Sequence, residues 1–162
     1  MTRKITVLQG DGIGPQVTEE AVRVLQNTGL DFEFIYGDIG YDYYQKTGNN
    51  LPAQTIEKIM KSSSCLFGAV TTPPNIPNYS SPILALRKKL DLYTNLRPNK
   101  SYPLDSFRKG IDMVIVRENT EGLYSGRERL EDNGNTAITE RVITRKGSEC
   151  IIKWAFEYAK KK

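Results

Sequence analysis

The chain contains no histidine and only two cysteines, Cys65 and Cys150, which form no CxxC pair. A Cys/His zinc centre is thereby excluded from these residues. Both cysteines read as buried, reduced thiols. Long apolar runs are missing too. The longest, LFGAV and MVIV, fall far short of the roughly 20 residues that span a bilayer. The opening MTRKITVL is basic but has no apolar core or small-residue cleavage site. No signal peptide is read, no membrane is expected, and the expected location is cytoplasmic. A basic stripe with interleaved aromatics is also lacking: the net charge is only +4, and the basic residues are spread along the chain apart from the terminal KKK. Nucleic acid is therefore not an expected partner.

What remains is a globular composition, with 38% hydrophobic and 26% charged residues in a chain of 162, enough for a domain of ordinary size. KITVLQ (4–9), FEFIY (32–36) and CLFGAV (65–70) read as strands. A helix is predicted from about Pro15 to Thr28, with Val17, Ala21, Val24, Leu25 and Thr28 on one face. A second is predicted over 52–63 with Ile56, Ile59 and Met60 inward. Strands alternating with helices predict an α/β fold with a largely parallel sheet. The proline-rich stretch TTPPNIPNYSSP (71–82) leaves the end of a buried strand and is a candidate site loop. Ser81 and Pro82 then suit the N-cap and first turn of the helix ILALRKKL. IDMVIVR (111–117) reads as a strand covered on both faces. Asn133-Gly134 before TAITERVITR suggests a hairpin arm. Gly147-Ser148 opens a last helix with Ile151, Ile152, Ala155, Phe156 and Ala159 inward.

QGDGIGP (9–15) sits between the first strand and the first helix, as a phosphate-binding turn would. Its glycines are spaced GxGxG, not the GxGxxG of a dinucleotide fingerprint, and no acidic residue ends a strand about twenty residues later. The glycines serve a sharp strand-to-helix turn.

Three arginines occupy unusual positions. Arg87 shares a helical face with Ile83 and Leu84. Arg97 precedes Pro98, so its backbone is extended, and it alternates onto one side with Tyr93 and Asn95. Arg117 ends a strand, where ligands bind in open α/β sheets. A substrate with two or three carboxylates needs such forks, each able to hold a carboxylate by two hydrogen bonds at any working pH. Against this stands the plain reading of surface arginines. Tyr124, seven residues past Arg117, is either a packing residue or a proton donor.

GDGIGP, ALRKKLDLYTNLRP and DMVIVRENTEGLYSG together resemble the β-decarboxylating dehydrogenases, the family of isopropylmalate, homoisocitrate and isocitrate dehydrogenases. The resemblance runs through nearly the whole chain. It implies a three-layer fold of the isopropylmalate dehydrogenase kind, with residues 1–98 on the cofactor side and 99–162 beginning a dimerisation and substrate domain. It implies oxidation of a 2-hydroxy acid by NAD or NADP, with Mg²⁺ or Mn²⁺, followed by loss of the β-carboxylate. By the same resemblance Arg87, Arg97 and Arg117 hold substrate carboxylates, and Tyr124 is the general acid. Thr71, Thr72 and Ile13 border the cofactor, and the hairpin around Asn133 is an arm of a homodimer. Ile83 and Leu84 face the substrate branch, which favours 3-isopropylmalate, whereas Ser80 and Ser81 beside them could meet a polar group instead. Homoisocitrate and isocitrate are the alternatives, as is a non-catalytic carboxylate-binding regulatory subunit. The family's chain is about twice this long, so the sequence is read as a truncated member. The catalytic lysine, the metal ligands and the adenosine-gripping loop are expected beyond residue 162, and turnover by these residues alone is expected to be negligible.

Overall fold

The computed structural model describes residues 2–74, 76 and 79–162. Parts of the proline-rich loop, Asn75, Pro77 and Asn78, thus lie outside the described residues. The chain divides into two compact units, Met1–Leu86 and Arg87–Lys162.

The first unit is built on β1 (Arg3–Gly10), which is central in a parallel sheet ordered β2-β1-β3, with β2 at Phe32–Tyr36 and β3 at Ser64–Ala69. Residues on successive positions of a strand face opposite sides. Ile5 and Val7 meet Val22 of helix α1 (Gly14–Gln26), with Leu25, Phe32, Phe34 and Leu66 around them. On the other side the Thr6 hydroxyl is 2.8 Å from Ser62 Oγ, just beyond helix α3 (Ala53–Met60), and Leu8 is fully buried. Helix, sheet and helix form three layers, as an α/β sequence pattern requires. Both outer edges of this sheet lack a strand partner among the described residues.

Helix faces depart from the apolar pattern. The buried side of α1 is Gly14, Thr18 and Val22, while Val17 and Val24 are exposed. Small residues face the sheet because the helix lies close to it: a Cβ on Gly68 of β3 would collide with the Gly14 carbonyl and the Thr18 hydroxyl. In α3 it is Thr55 that is buried, its hydroxyl bonded to the Asp38 carbonyl at 2.8 Å, while Met60 is exposed. A helix not foreseen from sequence, α2 (Tyr41–Thr47), stacks Tyr41 and Tyr44 on one side and ends on left-handed Gly48.

In the second unit, which holds the end of helix α4 (Pro82–Lys89), β4 (Thr94–Lys100) pairs antiparallel with β5 (Asp112–Glu118). Residues 87–98 therefore go with β5. Met113 and Ile115 are exposed, so β5 is covered on one face only in this chain, contrary to its continuous apolar run. A hairpin follows, β6 (Glu128–Glu131) to β7 (Thr136–Thr139), turning through Asp132, Asn133 and Gly134, all at positive φ. Its second strand ends at Thr139, shorter than TAITERVITR suggested. Helix α5 (Arg145–Ala159) is capped by the Thr144 hydroxyl, which accepts from the Gly147 N–H at 3.0 Å. Ile151, Ala155, Trp154 and Tyr158 are half-buried, and the last two stack. Ile152 and Phe156, expected inward, are exposed, and so is Ala159.

The turn after β5 is held by Glu118. Burial alone would raise its carboxyl, but the Thr120 hydroxyl, the N–H groups of Glu121 and Thr120, and that of Asn119 hold it below the ordinary 4.5. A depressed folded value contributes stability above the unfolded value, lost as pH falls through the folded one. Glu118→Gln should therefore melt earlier than wild type near pH 7. The gap should narrow as the pH falls below the ordinary 4.5, in thermal scans over that range. A second expectation concerns Gly10. Gly10 and Gly29 both have φ near +75°, at 74° and 76°, but only at Gly10 would a Cβ overlap the Ala69 carbonyl. Gly29→Ala should cost about 1 kcal/mol in urea unfolding, the left-handed penalty alone. Gly10→Ala should cost clearly more.

Candidate functional site

In the second unit, Arg117 at the end of β5 and Tyr124 in a short 3₁₀ turn (Leu123–Ser125) come together. The Arg117 Nη2 donates to the Tyr124 hydroxyl at 3.2 Å. The guanidinium carbons of Arg87 and Arg117 each lie 5.9 Å from the Tyr124 ring centroid. An arginine can only donate hydrogen bonds. The phenol oxygen is thus an acceptor toward Arg117, and its own proton stays free to be given elsewhere.

The turn that carries Tyr124 is fixed at both ends. Gly122 and Gly126 flank it at φ 71° each. The Gly122 N–H donates to the Val142 carbonyl at 2.8 Å, and the Val142 N–H returns a bond to the Gly122 carbonyl at 3.2 Å. Glu121, just before it, accepts from the Thr144 N–H at 2.9 Å and from the Thr144 hydroxyl at 2.5 Å. The same threonine caps α5, so the tyrosine turn and the helix start are tied through one carboxylate. Arg117, Tyr124, Arg141, Ile143, Ser148 and Ile151 contribute to an open depression of about 390 Å³.

Arg97 is placed by strand register. Asn95 pairs with Arg117 and Arg97 with Ile115, so Arg97 and Arg117 share one face at diagonal positions. Arg97 is exposed and does not line the depression.

In the first unit, the residues expected beside a cofactor lie at the C-terminal end of the parallel sheet, where open α/β sheets bind ligands. Thr71 and Thr72 follow β3 and are exposed, as is Ile13 in the turn after β1. The two segments adjoin: a Cβ on Gly12 would lie 3.7 Å from the Thr71 hydroxyl. Thr71 and Thr72 leave exposed hydroxyls at this edge, each able to donate and accept hydrogen bonds. Ser81, Ile83 and Leu84 are half-buried at the start of α4, whose buried positions are Pro82 and Leu86. Among the described residues, no three His, Cys, Asp or Glu side chains come together as a metal site.

Sequence reasoning missed two acidic residues that organise these places. Asp11 is 2% exposed, although it stands between two glycines in a turn. Glu118 reads as the polar end of a strand. The signal available for Asp11 is its setting: an acid at a strand end, flanked by glycines, is surrounded by bare amides. The free cysteines are half-buried, and burial pushes the Cys65 thiol up to about 11.

The pattern of the isocitrate/isopropylmalate dehydrogenase family matches residues 4–162. The homoisocitrate dehydrogenase of Methanocaldococcus jannaschii is 49% identical over 96% of this chain and 48% of its own. The 3-isopropylmalate/3-methylmalate dehydrogenase of the same organism is 45% identical over 98% of this chain and 46% of its own. The crystal structure of isocitrate dehydrogenase from Methylococcus capsulatus superposes with a TM-score of 0.87 at 39% identity, covering 98% of this chain and 48% of that one. The chain spans about half the length of the curated relatives it matches. With its arginines, tyrosine turn and glycine-rich strand end all inside the matched span, the chain belongs to the isocitrate/isopropylmalate dehydrogenase family.

Proposed function

We propose that these residues form the substrate-gripping half of an oxidative decarboxylase acting on a 2-hydroxy di- or tricarboxylic acid, most of all 3-isopropylmalate. The observation that carries the reading is Tyr124 set against two guanidiniums with its proton unspent. Arg87, Arg97 and Arg117 bind and orient carboxylates, which keeps the charge of the substrate neutralised without titration. NAD or NADP, when bound, would accept the hydride from the hydroxyl-bearing carbon, and the hydroxyl proton would pass to the base expected outside these 162 residues. Loss of the β-carboxylate as CO₂ leaves an electron pair on carbon, and the Tyr124 hydroxyl supplies the proton that quenches it. Thr71, Thr72 and Ile13 border the nicotinamide ribose.

Ile83 and Leu84 support an aliphatic branch on the substrate. A γ-carboxylate left against them without a partner would cost several kcal/mol, of order 3. Homoisocitrate is the nearest competitor, in keeping with the name of the 49% identical relative. The hairpin around Asn133, with Leu130 exposed on it, is read as an arm of a homodimer.

The test uses the 162 residues alone and joined to the second half of the Methanocaldococcus jannaschii homoisocitrate dehydrogenase. The joined protein, with Mg²⁺, should reduce NAD⁺ or NADP⁺ with 3-isopropylmalate at least about tenfold better than with isocitrate, as kcat/KM. A preference for isocitrate would overturn the use made of Ile83 and Leu84. The 162 residues alone should show negligible turnover. Tyr124→Phe in the joined protein should lower kcat by about 100-fold or more while KM changes little.

A further inference from the structure

We infer that Asp11 and Tyr79 hold the two peptide groups that flank Thr71, which makes Asp11 a positioning residue for the cofactor contact proposed for Thr71. The inference rests on that reading of Thr71. Asp11 uses every polar group it has. Its Oδ1 accepts from the Thr71 N–H and its Oδ2 from the Tyr41 N–H, each at 2.6 Å. Its own N–H donates to the Ala69 carbonyl, and its carbonyl accepts from the Gly14 N–H, both at 2.9 Å. A carboxylate only 2% exposed is held there by charge-assisted bonds to two amides from separate segments. Gly40 makes room for it, since a Cβ at Gly40 would collide with Oδ2.

The next peptide, Thr71–Thr72, is held by Tyr79, whose hydroxyl donates to the Thr71 carbonyl at 3.2 Å. The Tyr79 ring is itself fixed edge-on, 5.6 Å from Tyr41 and 4.9 Å from Tyr44. Tyr41 thus serves both arms, giving its N–H to Asp11 and its ring to Tyr79. With its N–H and carbonyl both tied, Thr71 has only its exposed side chain left to offer a ligand. The aim of that hydroxyl is therefore set by Asp11, which touches no ligand itself.

Two acceptor oxygens are essential to this arrangement, and that separates it from mere packing. Asp11→Asn keeps the shape but has one acceptor oxygen. In the ¹⁵N-labelled 162-residue chain, either the Thr71 or the Tyr41 amide should then exchange at least about tenfold faster, while the amides of Val7 and Leu8 keep their protection. Nicotinamide mononucleotide, added at millimolar concentration, should shift the Thr71 and Thr72 amides of wild type and shift them less in Asp11→Asn. Unchanged exchange of both amides would overturn the clamp. Faster exchange with an undiminished nucleotide shift would overturn the positioning role. If exchange changes as expected but the nucleotide shifts nothing even in wild type, the clamp stands and the cofactor reading of Thr71 fails. Tyr79→Phe keeps the ring and removes one hydroxyl, so it decides the case should Asp11→Asn not fold: Thr71 signals identical to wild type would overturn the proposal.

Discussion

Gly10, Gly14 and Gly68 bring three stretches of backbone closer than any side chain would allow. A Cβ on Gly14 would collide with the Gln9 carbonyl and with Ala69, and one on Gly10 would overlap the Ala69 carbonyl. This contact between the ends of β1 and β3 and the start of α1 fixes the C-terminal edge of the parallel sheet. Because the backbones meet, the Asp11 carboxylate is delivered inward rather than to solvent, within reach of amides from β3's exit and from the start of α2. Gly10 and Gly14 are therefore packing positions, and the groups left exposed at this edge are Ile13, Thr71 and Thr72.

The second unit solves a different problem, how to keep cations near one another. Arg87 and Arg117 flank a single phenol ring. A cation–π contact at an accessible ring contributes about 0.5–1 kcal/mol, so the ring gathers the guanidiniums only weakly. A carboxylate that accepts a guanidinium fork binds each far better. The carboxylates of Glu118 and Glu121, which could have neutralised these cations, are instead spent on the Thr120, Glu121 and Thr144 groups that hold the turn.

Much of this was legible from residues alone, and the failures have a common cause. FEFIY, the Pro82 helix start and the Asn133 hairpin were read as they stand, because each is set by local chemistry. The inner faces of α1 and α5 were misread because periodicity counts apolar size. The side nearest the sheet in α1 needs small residues, Gly14 and Thr18, and its valines Val17 and Val24 point away. In α5 the pair Ile152 and Phe156 likewise stays exposed. The helix Tyr41–Thr47 buries no residue, so it has no apolar face to read; its one local cue is the stacked Tyr41–Tyr44 pair at i,i+3 spacing. The partners of Asp11 come from segments 30 and 60 residues away, so its glycine-flanked setting is the one local hint of its role. The approach of Arg87, Arg117 and Tyr124 was foreseen only as a family expectation, and the geometry supplies the hydrogen bond that gives it a physical form.

The joint action of Arg87 and Arg117 on one polycarboxylate is the proposal on which the substrate reading depends. Its most direct test follows the ¹⁵Nε signals of both arginines as 3-isopropylmalate is added to the 162-residue chain, with 2-hydroxyisocaproate as the monocarboxylate control. Both signals should move with one shared midpoint, and the control should move neither at the same concentration. Independent midpoints for the two arginines, or equal shifts with the monocarboxylate, would contradict that joint action.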